Sequence, residues 1–327
     1  MNANFKITAD GKDVTDAIAR RFISLKIQDE RGWKSDTLEI VIDDRPDLSG
    51  NYIEMPKTGV QLEVELGRGS TLHKMGSFTV NETRATGAVE KLTINATAAD
   101  MKGRLKEKRT RGLDNISFGD LAATIASEHV MTAKVSASIS NTIITRIDQL
   151  DESDLHLMTR ISRSYGTVIK YVGSVLIIVP KGEAKTVSGE HLPSTVLNKN
   201  QLAHWALFFA DRDQYESVVA KYHDNASASD IRVTAGSGRS PHIIRRAYAS
   251  EQEAILAAEA KLKELNRGLG QGSISTDGDA RLVAEAQVTL KGMRPGLDGV
   301  WQIKTATHTL NKSRSWSADL ELEMNPK

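Results

Sequence analysis

Apolar and polar residues alternate most cleanly near the C-terminal end of the chain. Trp301 and Ile303 alternate with Gln302 and Lys304. After a polar turn at residues 311–314, Trp316, Ala318, Leu320, Leu322 and Met324 alternate with Ser315, Ser317, Asp319, Glu321 and Glu323. A period of two predicts half-buried antiparallel strands, one face on a core and the other on water or a polar lumen. A second copy of the pattern lies near the start. Gly76-x-Phe78-x-Val80 has the form of Gly299-x-Trp301-x-Ile303, and each is followed by a turn and another alternating strand, Leu92-x-Ile94-x-Ala96 in the first case. Leu62-x-Val64-x-Leu66 precedes the first unit as Ala286-x-Val288-x-Leu290 precedes the second. The pattern predicts an internal duplication, with chance similarity of three-strand patterns as the alternative.

Taken in order, residues 5–8, 23–28, 37–42, 60–66, 78–82 and 91–97 read as strands, with Gly11, Gly32, Gly50, Gly59 and Gly87 in the gaps between them. Ser117-x-x-Asp120 resembles a capping box opening a helix over 121–128. Asp151 is the expected cap of a second helix carrying Leu155, Met158, Ile161 and Tyr165, closed by Gly166. A hairpin follows, 167–170 and 175–179, turning near Gly173. Residues 181–200 have linker composition, and His204 to Phe209 are an aromatic-rich segment fitted either to an interface or to burial beside the next strand. Val218, Ala220 and Tyr222 alternate as a strand. Residues 224–241, rich in Ser, Ala and Gly, are expected to form a loop. Ser250-x-x-Glu253 opens a helix over 250–267, with Ile255, Ala258, Leu262 and Leu265 on its apolar face and Gly268 as its stop.

The expected fold class is therefore mainly β (α+β): two related antiparallel β-barrel domains, an inserted α+β module, and a capped helix near the second barrel. The expected divisions are 1–111, 112–200 and 201–327.

Composition narrows the chemistry. Lys and Arg (43) nearly balance Asp and Glu (42), so no global field attracts nucleic acid or anionic lipid. With no cysteine among 327 residues, disulfides, thiolate nucleophiles and cysteine metal sites are excluded. There is no N-terminal signal-like apolar region and no apolar run of membrane-spanning length, so a soluble chain made in a cytoplasm is expected, with no membrane binding.

Each potential site has a simpler reading. Asp43-Asp44-Arg45-Pro46 fits a turn better than a metal site, and so does Asp211-Arg-Asp213. The basic run at residues 102–111 is expected to be a solvated connector or, in the functional reading, a channel lining or a contact for a negatively charged partner. The eight histidines are scattered without metal spacing. His223-Asp224 has no nucleophile elbow beside it, and Glu30 and Glu54 are lone carboxylates rather than a recognisable glycosidase pair. Gly268-Leu-Gly270-Gln-Gly272 lacks the flanking strand, helix and Lys of a phosphate loop. No catalytic, cofactor-binding or metal residue is assigned, and no cofactor is expected.

The order of parts, together with SFGDLAATIASEH, DESDLHLMTRISRSYG and GVWQIKTATHTLNKSRSWSADLELEM, resembles the tail protein D family of contractile-tailed bacteriophages, also called late control gene D protein. The hub portion of type VI secretion spike proteins is similar too. The resemblance covers essentially the whole chain.

It implies a structural, non-enzymatic baseplate hub in the virion tail, assembled in the bacterial host cytoplasm. The implied assembly is a homotrimer whose two tube-type barrels per subunit make a pseudo-sixfold adaptor. The implied partners are the hexameric tail tube protein, a trimeric tail spike protein carried on a separate chain, and the tape measure protein and other baseplate proteins, with no sequence-specific nucleic acid. Ser, Asp and Glu positions from 315 to 323, or Thr and Lys positions near Gln302, would contribute to its channel wall. The alternatives are a tail-tip cell-wall hydrolase and the hub module of a secretion-type injection device.

Overall fold

The structure, a computed structural model, describes residues 2–32, 35–46, 50–98, 104–172, 174–182, 184, 186, 188–209, 215–224, 226–238, 241–267 and 270–324. Gly173, Asp211, Asp213, Gly268 and the first two residues of the basic run, 102 and 103, lie outside the described residues.

A first β-domain contains β1 (Ala3–Ala9), β2 (Lys12–Asp13), α1 (Thr15–Ala19), β3 (Phe22–Glu30), β4 (Thr37–Asp43), β5 (Gln61–Arg68), β6 (Thr71–Thr86) and β7 (Lys91–Thr97). A middle module contains β8 (Lys108–Ser117), α2 (Phe118–Glu128), β9 (Thr132–Val135), α3 (Ala137–Ser140), β10 (Ile143–Ser153), α4 (Asp154–Ser164), β11 (Thr167–Val172) and β12 (Val175–Pro180). A second β-domain contains β13 (Ser194–Asn198) and β14 (Leu202–Phe209), then an insertion of β15 (Ser217–Asp224), β16 (Ser229–Gly236), β17 (Pro241–Tyr248) and α5 (Glu251–Arg267), and finally β18 (Gly270–Asp277), β19 (Gln287–Lys291), β20 (Gly299–Asn311) and β21 (Trp316–Met324).

The two β-domains are built alike. Their ladders run β3-β4-β7-β6-β5-β1 and β14-β18-β21-β20-β19-β13, so six strands correspond one to one in chain order. The irregularities coincide as well. β3 bulges against β4 between Phe22 and Ser24, and β14 bulges against β18 between Leu202 and His204. β6 bulges against β7 between Val80 and Glu82, and β20 against β21 between Ile303 and Thr305. A bulge inserts one unpaired residue and re-aims the strand, so matching bulges mark a shared design rather than a shared period.

The predicted repeat is thus present in the fold, with one correction. Leu62 pairs with Phe78, and Val288, not Ala286, pairs with Trp301. Sliding a strand by two leaves its inward face unchanged, so the alternation is blind to that shift.

Both domains bury the apolar half of the alternation. Leu38, Ile40 and Ile42 are buried along β4 while Thr37 and Glu39 are exposed, and Trp316, Ala318, Leu320 and Leu322 are buried along β21. Phe5 on β1 meets Phe22 on β3 with ring centroids 4.7 Å apart, inside the first core. The junction between domains is a ladder: residues 305–311 of β20 pair with β3, so one sheet runs through both domains. His308 lies fully buried there. Its Nε2 is 2.9 Å from the Leu282 carbonyl, and its Nδ1 accepts from Trp316 Nε1 at 3.2 Å, which sets the neutral tautomer.

The middle module has its own core of Phe118, Leu121, Ile125, Leu157, Met158 and Ile178. Ser117 caps α2, accepting from the Asp120 amide at 3.0 Å, as the capping-box pattern predicts. The cap of α4 is Ser153, which accepts from the His156 amide at 3.2 Å, and not Asp151, whose residue lies at φ 47° within β10. Several expectations are corrected by pairing over long sequence distances. Within the expected loop 224–241, residues 229–236 form β16, because α5 packs its Ala254 and Ala258 on β15 and leaves both of that strand's edges to be paired. Within the linker 181–200, β13 pairs in parallel with β19. The described part of the basic run enters β8, whose partner is β10.

Candidate channel wall

On the face of the sheet opposite the core, the polar half of the alternation is continuous across both domains. One cross-strand row reads Asp277, Ser317, Thr309, Lys26, Glu39, Asn95 and Glu82, from β18 to β6. The next reads Ser275, Asp319, Thr307, Gln28, Thr37 and Thr97, and a third reads Ser273, Glu321, Thr305 and Glu30. Local pairs tie the face together: Ser275 donates to Asp319, Lys304 meets Glu321 at 3.1 Å, and Thr305 donates to Glu30 at 3.3 Å. Acids outnumber bases along these rows, so the wall as a whole repels a polyanion rather than holding one.

Of the residues expected to line a channel, Asp319, Glu321 and Lys304 are exposed on this wall. Two are not. Thr305 is 5% exposed, and Glu323 is 9% exposed, gripped by both terminal nitrogens of Arg31; Gln302 beside them is fully buried and donates to Glu285 Oε2 at 2.9 Å. Arg31 also lies 3.3 Å from Glu285. Burial works against the charge on Arg31, but the hydrogen bond and charge of Glu323 and the charge of Glu285 outweigh it and raise its pKa. No pattern marked Arg31 beforehand, because its partner stands at the far end of the chain.

Two ion clusters lie off this wall. Lys170 on β11 bridges Asp29 and Asp36, the latter at 3.1 Å, joining the middle module to the first domain. Burial and the adjacent Asp29 charge push the Asp36 carboxyl up to about 7 against the pull of Lys170. Two carboxylates share one ammonium, so one of them holds its proton unusually well.

In the middle module, Asp154 accepts from Arg111 at 2.7 Å, Gln149 at 2.8 Å and His129 at 2.8 Å, while Arg109 and Arg111 both bind Glu128. Burial raises the Asp154 pKa, but the hydrogen bonds of Gln149 and His129 and the charges of Arg111 and Arg109 together hold it below the usual carboxylate range. Glu128, His129 and Asp154 offer atoms within 4.8 Å of one another, as a metal would need. Two guanidinium groups already neutralise those carboxylates, which sets the local charge against a cation. Arg109 and Arg111 of the basic run therefore serve as an internal staple, while Lys106 and Lys108 stay solvent-exposed as a solvated connector would have them.

The other candidates are local devices. Arg45 binds Asp43, and its hydrogen bonds hold the Asp43 carboxyl near 2. His223 lies 3.1 Å from Asp230 rather than acting with Asp224, which caps a turn at Ser227. Glu54 is exposed, and Glu30 belongs to the wall. Among the described residues, no helix is long and apolar enough to cross a membrane.

Comparison with known proteins agrees with the architecture. Residues 35–314 match the family described as phage tail baseplate hub (GPD). A probable baseplate hub protein of Escherichia phage 186 is 30% identical, over 98% of this chain and 92% of its own length. The 43 kDa tail protein of prophage MuSo2 from Shewanella oneidensis shares the fold with a TM-score of 0.72 at 13% identity, with 98% of each chain covered. The E. coli c3393 protein, a component of the type VI secretion system, shares it with a TM-score of 0.59 at 10% identity, over 99% of this chain and 79% of that one. The chain belongs to the phage tail baseplate hub family.

Proposed function

We propose that the protein is the structural hub of a contractile tail baseplate in the virion, a homotrimer that joins a hexameric tail tube to a trimeric central spike. The observation that carries this reading is the repeat itself: two domains with matching strand order and matching bulges, joined edge to edge by the β3–β20 ladder into one sheet with one polar face. Three copies of such a chain present six near-equivalent units, so one end matches a sixfold tube while the subunits keep threefold symmetry for a spike.

In this reading the polar rows face the lumen, and their excess of acids keeps nucleic acid from adhering during passage. The tape measure and other baseplate proteins would meet the same ends of the ring. In this reading the module begins with β8, before residue 111, and the second domain begins with β13, before residue 200. No catalytic step is part of the proposal, since the conspicuous carboxylates are either paired with guanidinium or ammonium groups or spread along the wall.

The test is the mass of the purified chain by light scattering, alone and with the trimeric spike protein added. A threefold mass in either condition is expected, and a single-chain mass in both would overturn the hub ring.

A further inference from the structure

We infer that the bare edge of β14 pairs with residues 82–86 of β6 in a second copy of the chain, and that this one contact, repeated, closes the ring. The inference rests on the hub reading and assigns the interface that reading lacks. Within the chain, β3 has β4 on one side and the outer half of β20 on the other. Its counterpart β14 has β18 on one side only, and the counterpart of that half of β20, residues 82–86, has β7 on one side only among the described residues. Each domain type therefore lacks the partner that the other type supplies inside the chain.

The exposed chemistry fits a partner rather than water. Phe208 of β14 is 51% exposed, and Phe209, whose ring also meets the core Trp301 at 6.1 Å, is 50% exposed, so apolar surface of the kind that soluble proteins cover flanks this edge. At the corresponding positions β3 carries Gln28 and Asp29, both partly covered by β20. A β-edge with two half-exposed aromatics is an aggregation hazard unless a defined strand takes it.

The register follows from the matching bulges. Inside the chain, Thr307 faces Gln28 and His308 faces Ile27. Carried over, Arg84 of one copy faces Phe208 of the next, Ala85 faces Leu207, and Thr86 faces Ala206. Arg84 is exposed, and its guanidinium, held by Glu82 at 2.7 Å, keeps a free face that can lie against the Phe208 ring as a cation–π contact. Because the contact is head to tail, it closes only if the rotation between domains repeats evenly, and otherwise it gives open filaments.

The cysteine-free chain makes the test direct. The paired variants Thr86→Cys with Ala206→Cys, and Ala85→Cys with Leu207→Cys, place cysteines at adjacent facing positions. One of two neighbouring pairs in an antiparallel ladder has the close spacing a disulfide needs. Each is oxidised and run on a non-reducing gel beside its single-cysteine controls, with Glu82→Cys/Ala206→Cys as the out-of-register pair. Light scattering is recorded on the same samples, with and without the spike protein.

A threefold mass with a reducible trimer band from at least one in-register pair, and none from the out-of-register pair, is the expected result. A threefold mass without in-register crosslinks overturns this interface and leaves the hub reading standing. An open-ended ladder of crosslinked species with growing mass overturns ring closure. A single-chain mass in every condition overturns the hub reading and this inference together.

Discussion

The two β-domains share strand order and both bulge positions, but they differ at their margins. In the first, β1 lies antiparallel to β5, and the outer edge of β3 is covered by β20. In the second, β13 lies parallel to β19, the outer edge of β14 has no partner strand among the described residues, and a three-strand insertion with α5 separates β14 from β18. The shared part is what a core requires: inward-facing residues packed from a curled sheet. The differing part is what an assembly requires, since margins decide which surfaces meet other chains. A duplicated fold can thus hold its core constant while its edges diverge.

The strongest way to break the comparison is to truncate equivalent core positions. Phe78 and Trp301 are both buried and occupy matching places before the bulge. Replacing either with Ala is expected to cost roughly 3–5 kcal/mol by chemical denaturation. Trp301 should sit at the upper end, because its Nε1 also donates to the Leu297 carbonyl at 3.0 Å. A Trp301→Ala loss well below that of Phe78→Ala would break the equivalence.

A feature confined to one domain comes next. Arg31→Met strands Glu323 and Glu285, both nearly buried, where the first domain has only Thr97 in the place of Glu323. The expected loss is about 3–5 kcal/mol. The double variant Arg31→Met/Glu323→Gln should recover part of it, and no recovery would mean that lost packing, not stranded charge, carries the effect.

The contact between the middle module and the first domain should respond to pH. The folded pKa of Asp36 is raised to about 7 from an ordinary 3.8, so the folded state binds the extra proton between those values. The stability associated with it is present at low pH and is lost as pH rises toward 7. Asp36→Asn removes this loss. The Tm difference between variant and wild type should grow by on the order of a few degrees from pH 4 to pH 7.5 and then level off. His308, whose pKa burial lowers, contributes the opposite slope below 6.5 to both proteins and cancels in the difference. A flat difference profile would show that Asp36 is ionised throughout.

The smallest expected effect on the fold is also the sharpest on the edge comparison. Phe208→Lys changes an exposed position, so the stability of the isolated chain should move by no more than about 0.5 kcal/mol. The same change sets a cation opposite Arg84 of the neighbouring copy and should lower the mass seen by light scattering. Unchanged assembly would remove Phe208 from the interface.

Much of this molecule was legible before any coordinates. Alternation located the strands of the first domain and β15, β19, β20 and β21 of the second, Ser117 with Asp120 marked a helix start, and the Gly-x-aromatic-x-aliphatic pair exposed the repeat, but β13, β14, β16 and β18 carried no such signal. These are local properties: side-chain period and capping are settled within a few residues. The candidate wall was half legible. Polar positions on β20 and β21 can be read, but whether each meets solvent or a buried partner depends on what packs there, which is why Glu323 and Thr305 are buried where the pattern predicts exposure.

Residues whose partners lie far along the chain gave no signal. Arg31 with Glu323, Lys170 with Asp29 and Asp36, and β13 beside β19 all join segments that only the closed fold brings together. The strand register of the repeat belongs to the same class, since a slip of two residues preserves every inward and outward assignment. By itself, the sequence determined the main helices, the strongly alternating strands and which face of those strands is apolar, because those choices are made over a few residues of chain. Only the tertiary structure decided which edges pair, which charges are buried and which edge is left bare, because those outcomes depend on contacts between distant segments that no local pattern encodes.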